Sequence, residues 1–212
     1  MGSQGSCPSD PILQWNINGL HAKRNEFKQL ISQYNPFCIT LNETKSLNPV
    51  RIIEESFKNY SAYYDVNHPH LGNLILVRKD IHYVPTPLNS PLNAIAIEIN
   101  RDGQKVKICS IYLRPNVPIC SQHLVDLLNQ LSTPSTPCSL VILGDFNAKS
   151  EYWHNSANNP RGNQILDLIL QFNLEVLNDD SPTHFWQATG GVSSIDLSLW
   201  HQSCIRFGIS PV

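Results

Sequence analysis

Charge is what this sequence has least of. Only 15% of its 212 residues are Asp, Glu, Lys or Arg, against about 25% in ordinary soluble domains. Fifteen basic residues set against seventeen acidic ones leave a formal charge of −2. Such a chain has no global basic field to hold a polyanion by counterion release, which excludes a histone-like or coat-like nucleic-acid binder. No apolar stretch approaches the roughly 18 residues of a membrane span, so no membrane partner is expected. The six cysteines (Cys7, Cys38, Cys109, Cys120, Cys138 and Cys204) form no CxxC pair and no zinc-ligand spacing. Three of them sit inside apolar runs, and they read as buried, reduced thiols of an intracellular protein rather than as disulfides or zinc ligands. Internal repeats and low-complexity tracts are absent, and the proline-rich connectors around Pro85 to Pro91 and Pro134 to Pro137 are too short for domain linkers.

Hydrophobic residues make up 41% of the chain, which disfavours intrinsic disorder. The polar share is carried by Asn, at 21 positions, with Ser and Thr. The length suffices for a core without disulfide or metal staples, and one domain is expected over residues 9–212, with residues 1–8 a disordered or appended N-terminus. Two periodicities alternate. Phe27, Leu30, Ile31 and Tyr34 are spaced i, i+3, i+4, i+7, as are Leu124, Leu127, Leu128 and Leu131, and again Ile165, Leu168, Ile169 and Phe172; each is the stripe of an amphipathic helix. Between them, Ile12 to Ile17, Phe37 to Leu41, Leu74 to Val77, Ala94 to Ile99, Val106 to Tyr112, Leu140 to Leu143, Leu174 to Leu177 and Ile195 to Leu199 read as strands. Leu140 to Leu143, apolar throughout, suits a central strand covered on both sides, whereas Ala94 to Ile99 alternates like a strand with one wetter face. The mixture predicts an α/β fold of two packed mixed sheets flanked by helices.

What terminates these strands is chemically informative. The first runs into Trp15-Asn16-Ile17-Asn18-Gly19, the second into Asn42-Glu43-Thr44-Lys45, the strand from Val106 into Tyr112, and the most apolar one into Gly144-Asp145-Phe146-Asn147. Polar groups directly following buried strands mark where open α/β architectures build their sites. Glu43 with amide oxygens nearby is a hard-oxygen set that suits Mg²⁺ or Mn²⁺ and not zinc. Asp145 and Asn147, two apart on extended chain, point to one side, so the carboxylate can orient a water while the amide holds a phosphate oxygen. Singly, each residue has an ordinary reading: Asn16 or Asn18 in a turn, Glu43 at a solvated strand end, Tyr112 as a packed aromatic, Gly144-Asp145 as a turn. The joint pattern is what points to chemistry.

Five segments, Trp15 to Leu20, Leu41 to Lys45, the Tyr112 region, Ile142 to Lys149 and Ser193 to Leu199, resemble in order and spacing the endonuclease/exonuclease/phosphatase superfamily. Within it, Tyr152-Trp153, Asn159-Pro160-Arg161-Gly162, Ser181-Pro182-Thr183-His184 and Ser193-Ser194-Ile195-Asp196-Leu197 are most similar to the apurinic-endonuclease-like domain of non-LTR, LINE-type retrotransposons of the jockey and I kind. The resemblance implies a four-layered, DNase I-like α/β sandwich and a metal-dependent phosphodiesterase. Glu43 would be the principal ligand of Mg²⁺ or Mn²⁺, with Asn16 and Asn18 near the metal; repair members often carry Asp where Asn18 stands. Asp145 would orient or deprotonate the attacking water, Asn147 would bind phosphate, and Tyr112 would support the transition state. Thr183 and His184 would lie on a DNA-facing loop, with Lys45, Arg114, Lys149 and Arg161 as further DNA contacts or solvated loop charges.

In that family Asp196 orients a histidine from a Ser-Asp-His on a following final strand, which is absent before Val212. His201 lies too close to Asp196 to be that residue. The domain is therefore expected to be C-terminally truncated and to nick DNA weakly or not at all, because loss of such a group costs about 10²-fold or more in rate. The implied partners are double-stranded DNA, a reverse transcriptase in the same polyprotein and, indirectly, the element RNA; the implied location is the nucleus. Competing readings are a host abasic-site repair endonuclease, a lipid phosphatase of the same fold, and a non-catalytic domesticated remnant. Metal binding by His68-Pro69-His70 rests on two loop histidines without partners at ligand spacing.

Overall fold

Two β-sheets lie face to face in the computed structural model, which describes residues 11–46, 49–64, 72–101, 103–132, 138–185 and 190–201. The chain runs β1 (Ile12–Asn16), α1 (Arg24–Tyr34), β2 (Cys38–Asn42), α2 (Pro49–Ser56), β3 (Tyr60–Tyr64), β4 (Leu74–Arg78), β5 (Tyr83–Thr86), β6 (Asn93–Arg101) and β7 (Gln104–Tyr112). It continues with α3 (Ser121–Leu131), β8 (Ser139–Asp145), a single 3₁₀ turn (Glu151–Trp153), α4 (Pro160–Gln171), β9 (Glu175–Val176), β10 (His184–Phe185), β11 (Val192–Ser193) and β12 (Asp196–His201). One sheet has the order β1-β2-β4-β3 and the other β5-β6-β7-β8-β12-β9, with β10 and β11 as a separate hairpin.

Strand alternation sends neighbouring residues to opposite layers. Between the sheets, Ile12, Cys38, Ile75 and Val77 meet Ile97, Ile108, Val141 and Leu143. Outside the first sheet, Phe27 of α1 and Ile53 of α2 pack on Leu13, Ile39, Leu41, Leu74 and Leu76. Outside the second, the leucines of α3 and the Ile165, Leu168 and Ile169 stripe of α4 cover Cys109, Ile111, Leu140, Ile142, Leu197 and Leu199. Helix, sheet, sheet, helix: the four-layered sandwich implied by the motifs is the observed fold, with the three expected helices present. Helices α3 and α4 bury their stripes, while on α1 Phe27 is buried, Leu30 and Ile31 are partly buried and Tyr34 is exposed. Among the described residues no helix is long and apolar enough to cross a membrane. Cys38 and Cys109 are the buried free thiols expected, whereas Cys120 is exposed and Cys138 half-buried, because they stand at a helix cap and just before β8 rather than inside an apolar run. Cys7, Cys204 and His68-Pro69-His70 lie outside the described residues.

Several elements differ from the expectation, among them β3 and the β10–β11 hairpin, which fall on no expected strand. Helix α2 has only eight residues, too few to show a repeated stripe. Strand β5 contains Pro85 and sits at a sheet edge, where a missing N–H is tolerated. Strand β6 keeps the expected wetter face at Ala94 and Glu98, both half-buried, while Ile95, Ile97 and Ile99 enter the inter-sheet core; Ala96 departs from it, packing under the helices of the second sheet. There the alternation is one of size, with a small residue where a helix presses close.

Topology explains why the polar strand ends converge. β1 and β2 are parallel and joined through α1, and β7 and β8 are parallel and joined through α3. Parallel neighbours finish at the same edge, and the register places Asn16 beside Asn42 and Tyr112 beside Asp145. Antiparallel β12 begins there, with Asp196 opposite Asp145.

Candidate active site

Both sheets contribute carboxylates to one cleft, and a single amide joins them. Asn16 Nδ2 donates to Glu43 Oε1 at 2.9 Å and to Asp145 Oδ2 at 2.8 Å. The backbone is shaped for this. Asn18, Glu43, Lys45 and Asn147 all have φ between 46° and 50°, a left-handed conformation that Asn tolerates and that costs Glu and Lys roughly 1 kcal/mol or more each. Gly144 precedes Asp145 because a Cβ there would stand 1.9 Å from Ile111 O. Beneath the carboxylates, the wholly buried Asn42 side chain donates to Asn73 Oδ1 at 2.8 Å, to Ile111 O at 3.2 Å and to Ser110 Oγ at 3.3 Å. Its Oδ1 accepts the Asp145 N–H at 3.1 Å, so one amide rivets the sheets under the residues that terminate them.

The electrostatics are divided. Burial disfavours the Glu43 carboxylate, but hydrogen bonds from Asn16, Lys45 and Tyr112 and the charge of Lys45, 3.2 Å away, outweigh it and hold its pKa below the ordinary value. Asp145 is pushed up to about 7, first by burial and then by the charges of Asp196 and Glu43, against hydrogen bonds from the Asn147 N–H and Asn16. Asp196 rises to about 6 by burial and the charge of Glu43, with hydrogen bonds from Gln14 and Thr183 opposing. Burial, the charges of Glu43 and Asp145 and a hydrogen bond to Glu43 raise Tyr112, which keeps it a neutral phenol donor. A carboxylate with pKa near 7 beside one held below the ordinary carboxylate value is the division expected of a base and a cation ligand.

Such strained carboxylates fit a hard divalent cation, whose charge would relieve their repulsion. Among the described residues no three His, Cys, Asp or Glu side chains close round one point, so an all-protein cage is not offered. Glu43 suits Mg²⁺ or Mn²⁺, which bind through one or two carboxylates and keep several waters. Asn16 turns its Nδ2 to Glu43 while its Oδ1 accepts the Asn18 N–H, and Asn18 Oδ1 receives Lys45 Nζ, so these two amides stand beside the carboxylate without presenting the cation a further oxygen.

The cleft, of about 320 Å³, brings together Asn16, Asn18, Glu43, Asp145, Asn147, Thr183, His184 and Asp196. Tyr112 reaches it through Glu43. Thr183 has a scaffolding job besides: its Oγ1 accepts the N–H groups of Ile195 and Asp196, each at 3.1 Å. The basic residues are dispersed. Lys45 Nζ is engaged by Glu43 and Asn18. Arg161 spends its guanidinium on the carbonyls of Leu113, Phe146 and Val117. Arg114 lines a neighbouring groove with Tyr112 and His123, and the Lys149 N–H is held by the Asn159 side chain at 3.0 Å. Two participants carry no role in the sequence reading: Asn42, and Gln14, whose Nε2 crosses from β1 to donate to Asp196 Oδ1 at 3.1 Å. Gln14 was detectable, since it sits two before Asn16 on the same strand face. Asn42 was visible as a polar residue closing an otherwise apolar strand.

Residues 106–207 match the family model described as Endonuclease-reverse transcriptase. The chain is 22% identical over 200 residues to the probable RNA-directed DNA polymerase from transposon BS of Drosophila melanogaster, covering 90% of this chain and 21% of that protein. It is 23% identical over 180 residues to the RNA-directed DNA polymerase from mobile element jockey of the same fly, covering 84% and 19%. The chain thus spans about a fifth of the length of the curated relatives it matches. The endonuclease domain of TRAS1, a telomere-specific non-LTR retrotransposon, superposes with a TM-score of 0.71 at 19% identity, over 89% of this chain and 82% of that one. Family pattern, relatives and fold all agree with the resemblance carried by the motifs.

Proposed function

With the endonuclease–reverse transcriptase pattern in its second half and the sandwich of a retrotransposon endonuclease domain around its cleft, the chain is, we propose, a divalent-metal-dependent DNA endonuclease. It nicks double-stranded DNA to leave a 3′-hydroxyl. The observation that carries this reading is the joint between the sheets: Asn16 holds Glu43 and Asp145 within one hydrogen-bonded group, one carboxylate ionised and the other near pKa 7.

Mg²⁺ or Mn²⁺ held by Glu43, with Asn16 and Asn18 near it, would lend Lewis-acid charge to the nonbridging phosphate oxygens. Asp145 takes the proton of the water that attacks phosphorus in line, its orientation fixed by the Asn147 N–H at 2.8 Å. The P–O3′ bond breaks and the 3′-oxygen leaves, taking up a proton from solvent. Tyr112 and Asn147 offer neutral donors to the growing negative charge. Within a longer polyprotein, acting in the nucleus, the 3′-hydroxyl would prime a reverse transcriptase copying the element RNA. The near-neutral charge suits this division, since neighbouring domains can supply non-specific DNA affinity.

Conversion of supercoiled plasmid to open circles tests the reading, because one nick per molecule registers even a slow enzyme. The expected result is Mg²⁺-dependent nicking absent from Glu43→Gln, with ends that a DNA polymerase extends directly. Nicking indifferent to Mg²⁺ or to Glu43→Gln, or ends that need phosphatase treatment first, contradicts it. Cleavage confined to abasic sites would favour a repair enzyme instead.

A further inference from the structure

The cleft holds three carboxylates, Glu43, Asp145 and Asp196, and among the described residues lining it a single side chain able to carry positive charge, His184. A phosphodiester entering this cleft meets three acidic side chains. Of the other nearby cations, Lys45 is held by Glu43 and Asn18, Arg161 by three carbonyls, and Arg114 lies in the adjoining groove. His184 is also mounted firmly. It opens β10 opposite Ser193, directly after Thr183, whose N–H donates to Ser193 O at 3.1 Å and whose hydroxyl oxygen receives the Ile195 and Asp196 amides. Strand alternation turns the next residue, Phe185, outward, 61% exposed, while His184 is half-buried against the cleft.

We propose that His184 is a catalytic residue, donating a ring N–H to a nonbridging oxygen of the scissile phosphate bound in the cleft that it shares with Glu43. The proposal rests on the nuclease reading above and gives the cleft the donor its own carboxylates lack. An N–H fixed where charge develops acts on the transition state more than on the ground state, so its removal lowers kcat and leaves KM nearly unchanged.

The test compares wild type, His184→Ala, His184→Gln and, as a control outside the site, His82→Ala in plasmid nicking with Mg²⁺. His184→Ala is expected to lose about 10²-fold in kcat with KM within threefold and an unchanged melting temperature. His184→Gln, which keeps a neutral N–H donor, should recover about tenfold of that loss, and His82→Ala should match wild type. A purely structural His184 would instead lower the melting temperature and gain nothing from Gln; that pattern, or a His184→Ala rate equal to wild type, overturns the proposal. A second measurement separates it from the nuclease reading: imidazole ¹⁵N resonances during titration with a short duplex in Ca²⁺. A shift at His184 and none at His82 supports the phosphate contact even where no nicking is seen, and an unmoved His184 refutes it.

Discussion

Replacing Asn42 by Leu removes the rivet between the sheets at nearly constant volume. The Asp145 N–H loses its acceptor at 3.1 Å, and Asn73 Oδ1 and Ile111 O lose a donor at 2.8 and 3.2 Å, all under a side chain with no exposure. An orphaned buried group costs about 1–3 kcal/mol, and a carbonyl that loses one of its donors costs less. The sum is about 3 kcal/mol, or roughly 6–12 °C in Tm for a protein of this size. Domains begin with about 5–15 kcal/mol of stability, so the variant remains almost wholly folded at 25 °C. Any loss of nicking beyond twofold then reports misplacement of Asp145 and of Tyr112, which follows Ile111. A kcat loss of tenfold or more is expected. Asn42→Asp keeps an acceptor for Asp145 but turns a carboxylate toward Asn73 Oδ1 and Ile111 O, and should be at least as harmful. Thermal melts and nicking rates on the same samples decide it: an Asn42→Leu protein melting within 2 °C of wild type and nicking within twofold refutes the reasoning.

The raised carboxyls make stability depend on pH in a defined direction. Folded pKa values of about 7 for Asp145 and about 6 for Asp196 lie above the ordinary 3.8, so their contribution is full below about pH 4 and is lost as pH rises toward 7. For Asp145 alone the shift corresponds to about 4 kcal/mol at most. Metal-free protein should therefore melt at lower temperature at pH 8 than at pH 5.5, and saturating Mg²⁺ at pH 8 should restore part of the difference; a metal-free Tm that climbs over this range would count against the carboxylate cluster. Gly162→Ala puts a Cβ 1.8 Å from Lys149 O at the start of α4, an overpacking expected to cost about 1–3 kcal/mol, and an unchanged Tm would show that this approach is looser than described.

Much of the fold was legible because its layers follow from periodicity. The stripes from Phe27, Leu124 and Ile165 became α1, α3 and α4, and the all-apolar Leu140 to Leu143 lies in β8, buried along its whole length. The site was legible because parallel strands end at one edge, so Asn16, Glu43, Tyr112 and Asp145 could be read as neighbours before their register was known. Long-range pairing was not. Nothing in the neighbourhood of Gln14 or Asn42 announces partners 182 and 103 residues away, because hydrogen bonds between sheets leave no local period. Arg161 shows the converse: beside a helix start it reads as a solvated or DNA-facing charge, while the folded chain directs it to three carbonyls that the Asn159 cap and the close-packed Gly162 bring within reach. Thr183 likewise carries a structural task, holding the Asp196 segment, that sequence proximity to His184 conceals.

The most direct test of the endonuclease proposal is the Mg²⁺-dependent nicking rate of the 212-residue chain against Glu43→Gln and Asp145→Asn under identical conditions. A metal-dependent rate that falls by about 10³-fold or more in both variants, with melting temperatures near wild type and polymerase-extendable ends, is predicted. Equal nicking by all three proteins, or a rate that does not respond to Mg²⁺, contradicts it.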